Sequence, residues 1–113
     1  MVMAGIEAIN AFAGSAYIDV EKLAKHRKLD MTRFTNLLMR EKSVALPYED
    51  PITFGLNAAK PLIDAMSAEE KNRIEMVITC TESAFDFGKS MSTYFHKLLE
   101  LNRNCRLFEL KNA

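Results

Sequence analysis

The stretch Ile74-Glu75-Met76-Val77-Ile78-Thr79-Cys80-Thr81 decides how this chain is built. It is rich in Ile, Val and Thr, residue types that favour β-structure, so we predict a buried strand. A turn over 83–88 follows, then a helix from about Lys89 to Leu101, and then a last strand over Cys105–Leu110. Strand, helix and strand in this order are typical of a parallel pair with a crossover helix. The helix residues expected to face inward are Met91, Tyr94, Phe95, Leu98 and Leu99.

Two capping signals precede this unit. Asp50-Pro51 combines an N-cap residue with proline at the first helical position, which predicts a helix running to about Met66. Pro61 lies inside that helix and should kink it or split its end. Ser67 and Glu70 have the spacing of a capping box and predict one further short turn of helix.

The N-terminal part alternates between the same two periodicities. Met3–Phe12 is mostly apolar and predicts a first strand, which Gly14-Ser15 would end. Asp19 should cap a helix through Lys28, Asp30 a shorter one through about Met39, and Ser43–Leu46 is a weak strand. The order β-α-β-α-β-α-β predicts an α/β fold, with a largely parallel sheet covered by helices on both faces.

Composition and charge limit the classes of partner. The chain has 113 residues, 49% of them hydrophobic, with 15 basic and 15 acidic side chains and no net charge. This predicts a single domain with a packed core, and it argues against nucleic acid or an anionic membrane as partner. No apolar run approaches the roughly 18 residues that span a bilayer. Cys80 and Cys105 lie in apolar runs without CxxC spacing, so we expect buried free thiols, no metal site and a cytoplasmic protein.

Functional groups in parallel sheets gather where strands end. Glu82 comes directly after the predicted buried strand, where partial shielding from water makes a carboxylate a better proton acceptor. A helix-capping or salt-bridged acid is the structural alternative. The second strand end, Lys111-Asn112-Ala113, follows a strand that should keep one face uncovered. His26 and His96 are distant in sequence from any paired acid or cysteine, and we interpret both as structural.

Basic residues are concentrated in the first third of the chain. Arg33, next to Phe34 in the predicted short helix, is either a solvated side chain or a contact for phosphate. The whole group could face an acidic protein, although a solvated helix face explains it equally well. Its members are Lys22, Lys25, Arg27, Lys28, Arg33, Arg40 and Lys42.

Three stretches resemble the 3-hydroxy-3-methylglutaryl-CoA synthase family. Gly5–Ile9 leading to Ala16–Asp19 resembles its opening, Val77–Ser83 resembles the segment that holds the catalytic glutamate, and Arg106–Ala113 resembles the strand that runs into the nucleophilic cysteine. The resemblance implies a thiolase-like three-layer α/β/α fold with a mostly parallel mixed sheet, of which these residues are the first part of a duplicated fold. It implies that Glu82 is the general acid/base. The nucleophilic Cys would follow Ala113 directly, with a catalytic His further on, so residues 1–113 alone should be inactive.

Two other stretches resemble one branch of the family. Asn36–Lys42 departs from the pattern of the CoA-dependent, mevalonate-pathway members, and together with Leu46–Pro51 it looks more like the polyketide β-branching enzymes. That branch implies phosphopantetheine-linked acyl thioesters on donor and acceptor acyl carrier proteins, no metal or redox cofactor, and a homodimer. Arg33 would then meet the phosphopantetheine phosphate. A CoA-dependent synthase and a non-catalytic carrier-binding module complete at Ala113 remain the alternatives.

Overall fold

The computed structural model describes residues 4–83 and 85–111. They divide into two compact units. The antiparallel unit is Ala13–Glu49, and the parallel unit comprises residues 4–12 together with the described residues from Asp50 onward.

The antiparallel unit consists of β1 (Ala16–Asp19), α1 (Val20–Arg27), α2 (Thr32–Asn36) and β2 (Glu41–Val44). Strands β1 and β2 pair in antiparallel register, from Ala16 opposite Val44 to Asp19 opposite Glu41. The Asp19 side chain accepts a hydrogen bond from the Lys22 N–H at 2.9 Å, which confirms the predicted cap of α1. Val20 and Ala24 on α1 are fully buried and form the small core of this unit.

The parallel unit consists of α3 (Pro51–Asp64), α4 (Ala68–Asn72), β3 (Met76–Cys80), α5 (Met91–Leu98) and β4 (Arg106–Leu110). Strands β3 and β4 are parallel as predicted, with Met76 opposite Arg106 and Cys80 opposite Leu110. Helices α3 and α5 pack together over a core whose buried members are Ile52, Met91, Phe95, Leu99 and Leu101. Capping boxes at Asp50–Thr53 and Ser67–Glu70 confirm the predicted starts of α3 and α4, and α3 continues through Pro61.

The predicted first strand is wrong. Residues 4–12 form no strand, Met3 lies outside the described residues, and the first strand of the chain is β1 instead. A strand needs a neighbouring strand with which to form backbone hydrogen bonds, and within the described chain no strand pairs with residues 4–12. Asn10 instead donates a side-chain hydrogen bond to the Ala58 carbonyl at 2.8 Å, and the rings of Phe12 and Phe54 pack edge to face with their centroids 5.5 Å apart.

The strands also form two sheets rather than one. The described residues contain one antiparallel and one parallel pair, so the predicted strand order is wrong in detail, although the α/β class is confirmed. Strand β2 lies two residues earlier than predicted, and α2 begins at Thr32, whose N–H donates to the Asp30 side chain at 2.9 Å.

Helix α5 covers only one face of the parallel pair. On the other face the large apolar residues are 40–52% exposed, so the prediction of a buried strand is wrong for this face. Within the described residues the last strand has the uncovered face expected for it. Cys105 is buried as predicted, but Cys80 is exposed because it lies on the uncovered face. Leu98, predicted to face inward, is 55% exposed. The large apolar side chains of this face are Met76, Ile78, Phe108 and Leu110.

None of the helices in the described part of the chain has the length and apolar character needed to cross a membrane.

Candidate functional site

The carboxyl ends of β3 and β4 lie at the same edge because the two strands are parallel. The ladder extends one residue beyond β3, where the Thr81 N–H donates to the Leu110 carbonyl at 3.0 Å. Glu82 therefore follows the last point at which β3 and β4 are joined. This is the position that the sequence predicts for a functional carboxylate.

Thr81 also fixes the turn that presents Glu82. Its hydroxyl accepts a hydrogen bond from the Ser83 N–H at 2.9 Å and donates to the Ser83 carbonyl at 3.1 Å. A threonine that bonds the backbone two residues on closes a tight turn. The side chain of Glu82 is exposed, and within the described residues it lacks the shielding expected for a strand-end carboxylate.

Asp86 organises the second half of the loop. Its Oδ1 accepts hydrogen bonds from the N–H groups of Gly88 at 2.7 Å and Lys89 at 3.2 Å, and the Tyr94 hydroxyl donates to Oδ2 at 3.3 Å. These bonds, that of the Gly88 N–H foremost, hold the pKa of the Asp86 carboxyl below its usual value. The Lys89 ammonium lies 4.2 Å from the centre of the Tyr94 ring, and the rings of Tyr94 and Phe85 pack edge to face.

Glu109 is a buried carboxylate that the sequence analysis missed. Its Oε2 accepts a hydrogen bond from the Met91 N–H at the start of α5, and Lys111 Nζ lies 2.7 Å from Oε1. The Lys111 ammonium and then the Met91 N–H lower the pKa of Glu109, against the opposing effect of burial. The available signal was a charged residue at an inward position of the alternating strand Arg106–Leu110.

The other predicted candidates do not lie on the loop that carries Glu82. Arg33 lies on α2 in the antiparallel unit and is exposed, whereas Glu82 belongs to the parallel unit. The seven basic side chains of the first third are all exposed. His96 Nε2 lies 2.8 Å from the Asn102 carbonyl, which agrees with a structural role, and His26 is exposed on α1. The expected nucleophilic Cys and catalytic His lie outside the 113 residues.

Among residues 4–83 and 85–111, no three His, Cys, Asp or Glu side chains are grouped so that they could hold a metal ion. The antiparallel unit contains an open groove of about 730 Å³, with both acidic and apolar side chains in its walls. It is lined by Asp19, Glu21, Met31, Thr35, Leu38, Met39 and Arg40.

No protein-family model matches the sequence. The whole chain is 70% identical to the polyketide biosynthesis 3-hydroxy-3-methylglutaryl-ACP synthase PksG of Bacillus subtilis (strain 168), of which it covers 27%. A solved structure of PksG superposes with a TM-score of 0.88 at 69% identity, over 98% of this chain and 27% of that one.

Two further similar proteins differ in the carrier that their names mention, ACP in one and CoA in the other. The curacin-pathway HMG synthase, solved in complex with acetyl donor-ACP, has a TM-score of 0.85 and 60% identity over 95% of this chain and 26% of its own. The hydroxymethylglutaryl-CoA synthase of Enterococcus faecalis is 34% identical over 96% of this chain and 28% of its own. The chain thus spans about a quarter of the length of the curated relatives it matches.

Proposed function

The chain belongs to the 3-hydroxy-3-methylglutaryl synthase family, and on that premise we propose that its protein is an acyl-carrier-protein-dependent synthase of polyketide β-branching. The observation that carries this proposal is the difference in identity between branches. The chain shares 70% and 60% of its residues with PksG and the curacin synthase, but 34% with the Enterococcus CoA synthase. The name of PksG specifies an ACP synthase, and the curacin enzyme was solved with a donor ACP.

The first half-reaction is acetyl transfer. The thiolate of the Cys expected after Ala113 attacks the carbonyl carbon of the acetyl thioester on the donor carrier. A new carbon–sulfur bond forms to the enzyme, the bond to the phosphopantetheine sulfur breaks, and the leaving thiolate takes up the proton that the Cys thiol released on ionising.

Condensation follows. The carboxylate of Glu82 takes a proton from the methyl of the acetyl-enzyme, and the enolate attacks the β-ketone of the carrier-bound acceptor. Glu82, as general acid/base, returns that proton to the resulting alkoxide, the His expected beyond residue 113 assists at the acceptor, and water hydrolyses the enzyme thioester. The parallel pairing of β3 and β4 supports this role, since Glu82 and Lys111, the described residues that come soon after the two strands, are then at the same edge. Bound substrate and the rest of the protein would supply the shielding that Glu82 lacks here.

The substrates would be phosphopantetheine thioesters on donor and acceptor carrier proteins, and the chemistry described needs no metal or redox group. Exposed basic side chains of the antiparallel unit, Arg33 among them, suit the phosphate and an acidic carrier surface. We further propose a cytoplasmic homodimer, for which sedimentation of the full-length protein is the direct test.

The decisive experiment separates the two half-reactions of the full-length protein. Glu82→Gln removes the base but keeps the shape, so condensation should fall by about 100- to 10,000-fold while acetylation of the Cys stays near the wild-type rate. Glu69→Gln, at an exposed acid on α4, is the matched control and should leave both rates unchanged. Condensation at a near-normal rate in Glu82→Gln would sink the assignment.

A CoA-dependent synthase is the second candidate, because the Enterococcus relative bears that name. Donor specificity distinguishes the two. We expect a higher kcat/KM with an acetylated carrier protein than with acetyl-CoA, and equal or better turnover with acetyl-CoA would contradict the carrier-dependent assignment.

A further inference from the structure

Glu109 breaks the pattern of its own strand. Along β4 the side chains alternate between the helix-covered and the open face, and Glu109 shares the covered face with Leu107. Only 6% of the Glu109 side chain is exposed. Because a buried carboxylate costs free energy unless it is paired, a charge at this position requires specific partners.

The partners of the Glu109 carboxylate are the Met91 N–H at the start of α5 and the Lys111 ammonium just after β4. Ser90, the N-cap residue of α5, accepts no hydrogen bond from a backbone N–H of the helix. Its hydroxyl is instead hydrogen-bonded to the hydroxyls of Ser92 at 2.7 Å and Thr93 at 3.1 Å. The first N–H of the helix, that of Met91, is taken by Glu109, 18 residues further along the chain. A carboxylate at a helix N-terminus also interacts favourably with the helix dipole.

The loop that carries Glu82 is thereby attached to β4 at both ends. At its start the Thr81 N–H is bonded to the carbonyl of Leu110, and at its end the Met91 N–H is bonded to the carboxylate of Glu109. Two adjacent residues of β4 therefore hold both ends of the loop. The same two residues precede the segment in which the nucleophile is expected.

We propose that Glu109 is a positioning residue, whose carboxylate holds the far end of the Glu82 loop in register with the chain that follows β4. The inference rests on the proposed function, since it assumes that Glu82 and a nucleophile after Ala113 react with one acetyl group. In this proposal Glu109 acts through the loop that carries Glu82 and not on the reacting atoms. Its effect is to keep the base at a fixed distance from the acetyl methyl.

The test varies the reach of the side chain separately from its charge. Glu109→Gln keeps an oxygen at the same distance along the side chain, whereas Glu109→Asp keeps the charge but is one methylene shorter. In the full-length protein, condensation should fall about 10- to 100-fold in Glu109→Asp and Glu109→Ala, and clearly less in Glu109→Gln. Acetylation of the Cys and KM for the donor should stay near wild type in all three. Should Glu109→Ala fail to fold, Glu109→Asp carries the comparison.

Two results would overturn the proposal. One is condensation in Glu109→Asp that equals or exceeds that of Glu109→Gln, which would make charge rather than reach the determinant. The other is an equal loss in both half-reactions, as a general loss of stability would give. Hydrogen exchange gives an answer that does not depend on the reaction. Glu109→Ala should speed exchange of the amides from Phe85 to Met91, and unchanged protection there contradicts the proposal even if the wild-type protein proves unable to condense carrier-bound substrates.

Discussion

Helices α3 and α5 pack against each other, yet their first turns are satisfied in different ways. At α3 the Asp50 side chain accepts from the Thr53 N–H and the Thr53 hydroxyl accepts from the Asp50 N–H, each at 2.7 Å. At α5 the side-chain acceptor is Glu109 on β4, which bonds the Met91 N–H and lies 18 residues further along the chain. A local cap holds wherever the helix forms, whereas a tertiary cap exists only once β4 has docked. The start of α5, and the loop before it, thus depend on the strand that leads toward the expected nucleophile.

The largest effect on stability should come from a substitution at the contact between α3 and α5. A Cβ added at Gly55 on α3 would lie 2.3 Å from Cζ of the Phe95 ring on α5. Phe95 is buried in the core, so its ring cannot move away without disturbing neighbours. We expect Gly55→Ala to lower the free energy of unfolding by about 1–3 kcal/mol, measured by urea unfolding. A neutral result would show that α5 shifts easily, and that its start is held less firmly than the Glu109 bond suggests.

The local cap should give a smaller and separable effect. Asp50→Ala leaves the Thr53 N–H without its acceptor and should cost about 1 kcal/mol of stability. Asp50→Asn is the matched control, since Asn caps helices about as well as Asp and should be nearly neutral. Hydrogen exchange should rise in the first turn of α3 and stay unchanged from Phe85 to Met91. Faster exchange in both places would mean that the two helix starts are coupled.

Most of the features that could be predicted from the sequence are local ones, and the parallel pairing of β3 with β4 is the exception. Asp19, Asp50 and the Ser67–Glu70 pair cap helices where their spacing indicates, because each bond joins residues three apart. The strand predicted over 3–12 failed because an apolar segment becomes a strand only beside a partner, and sequence pattern does not report partners. The pairing of β1 with β2 was missed for the same reason.

The candidate site likewise has one part that could be predicted from the sequence and one part that depends on tertiary packing. The place of Glu82 follows from its position after a strand rich in Ile, Val and Thr, and the resemblance of Val77–Ser83 and Arg106–Ala113 to one family is confirmed together with its thiolase-like α/β fold. Glu109 was missed because its partner Met91 is brought beside it only when α5 is packed on β4. The exposure of Glu82 was also not foreseen, since it depends on what covers that sheet edge.

The smallest effect should be a dependence of stability on pH that belongs to the tertiary cap alone. The pKa of Glu109 is lowered chiefly by Lys111 and by the Met91 N–H, with Asp86 acting weakly in the opposite direction. A carboxylate whose pKa is lower in the folded than in the unfolded chain stabilises the fold above its ordinary value of 4.5, and this contribution is lost as pH falls through the lowered value. The stability difference between wild type and Glu109→Gln, measured by urea unfolding, should therefore shrink between pH 7 and about pH 3. The deficit of Gly55→Ala, which removes no titrating group, should stay constant over that range. If the Glu109→Gln difference also stays constant, the hydrogen bond to Met91 does not depend on the charge of the carboxylate. A neutral oxygen at the same position would then cap α5 equally well, as Asn at residue 50 is expected to do for α3.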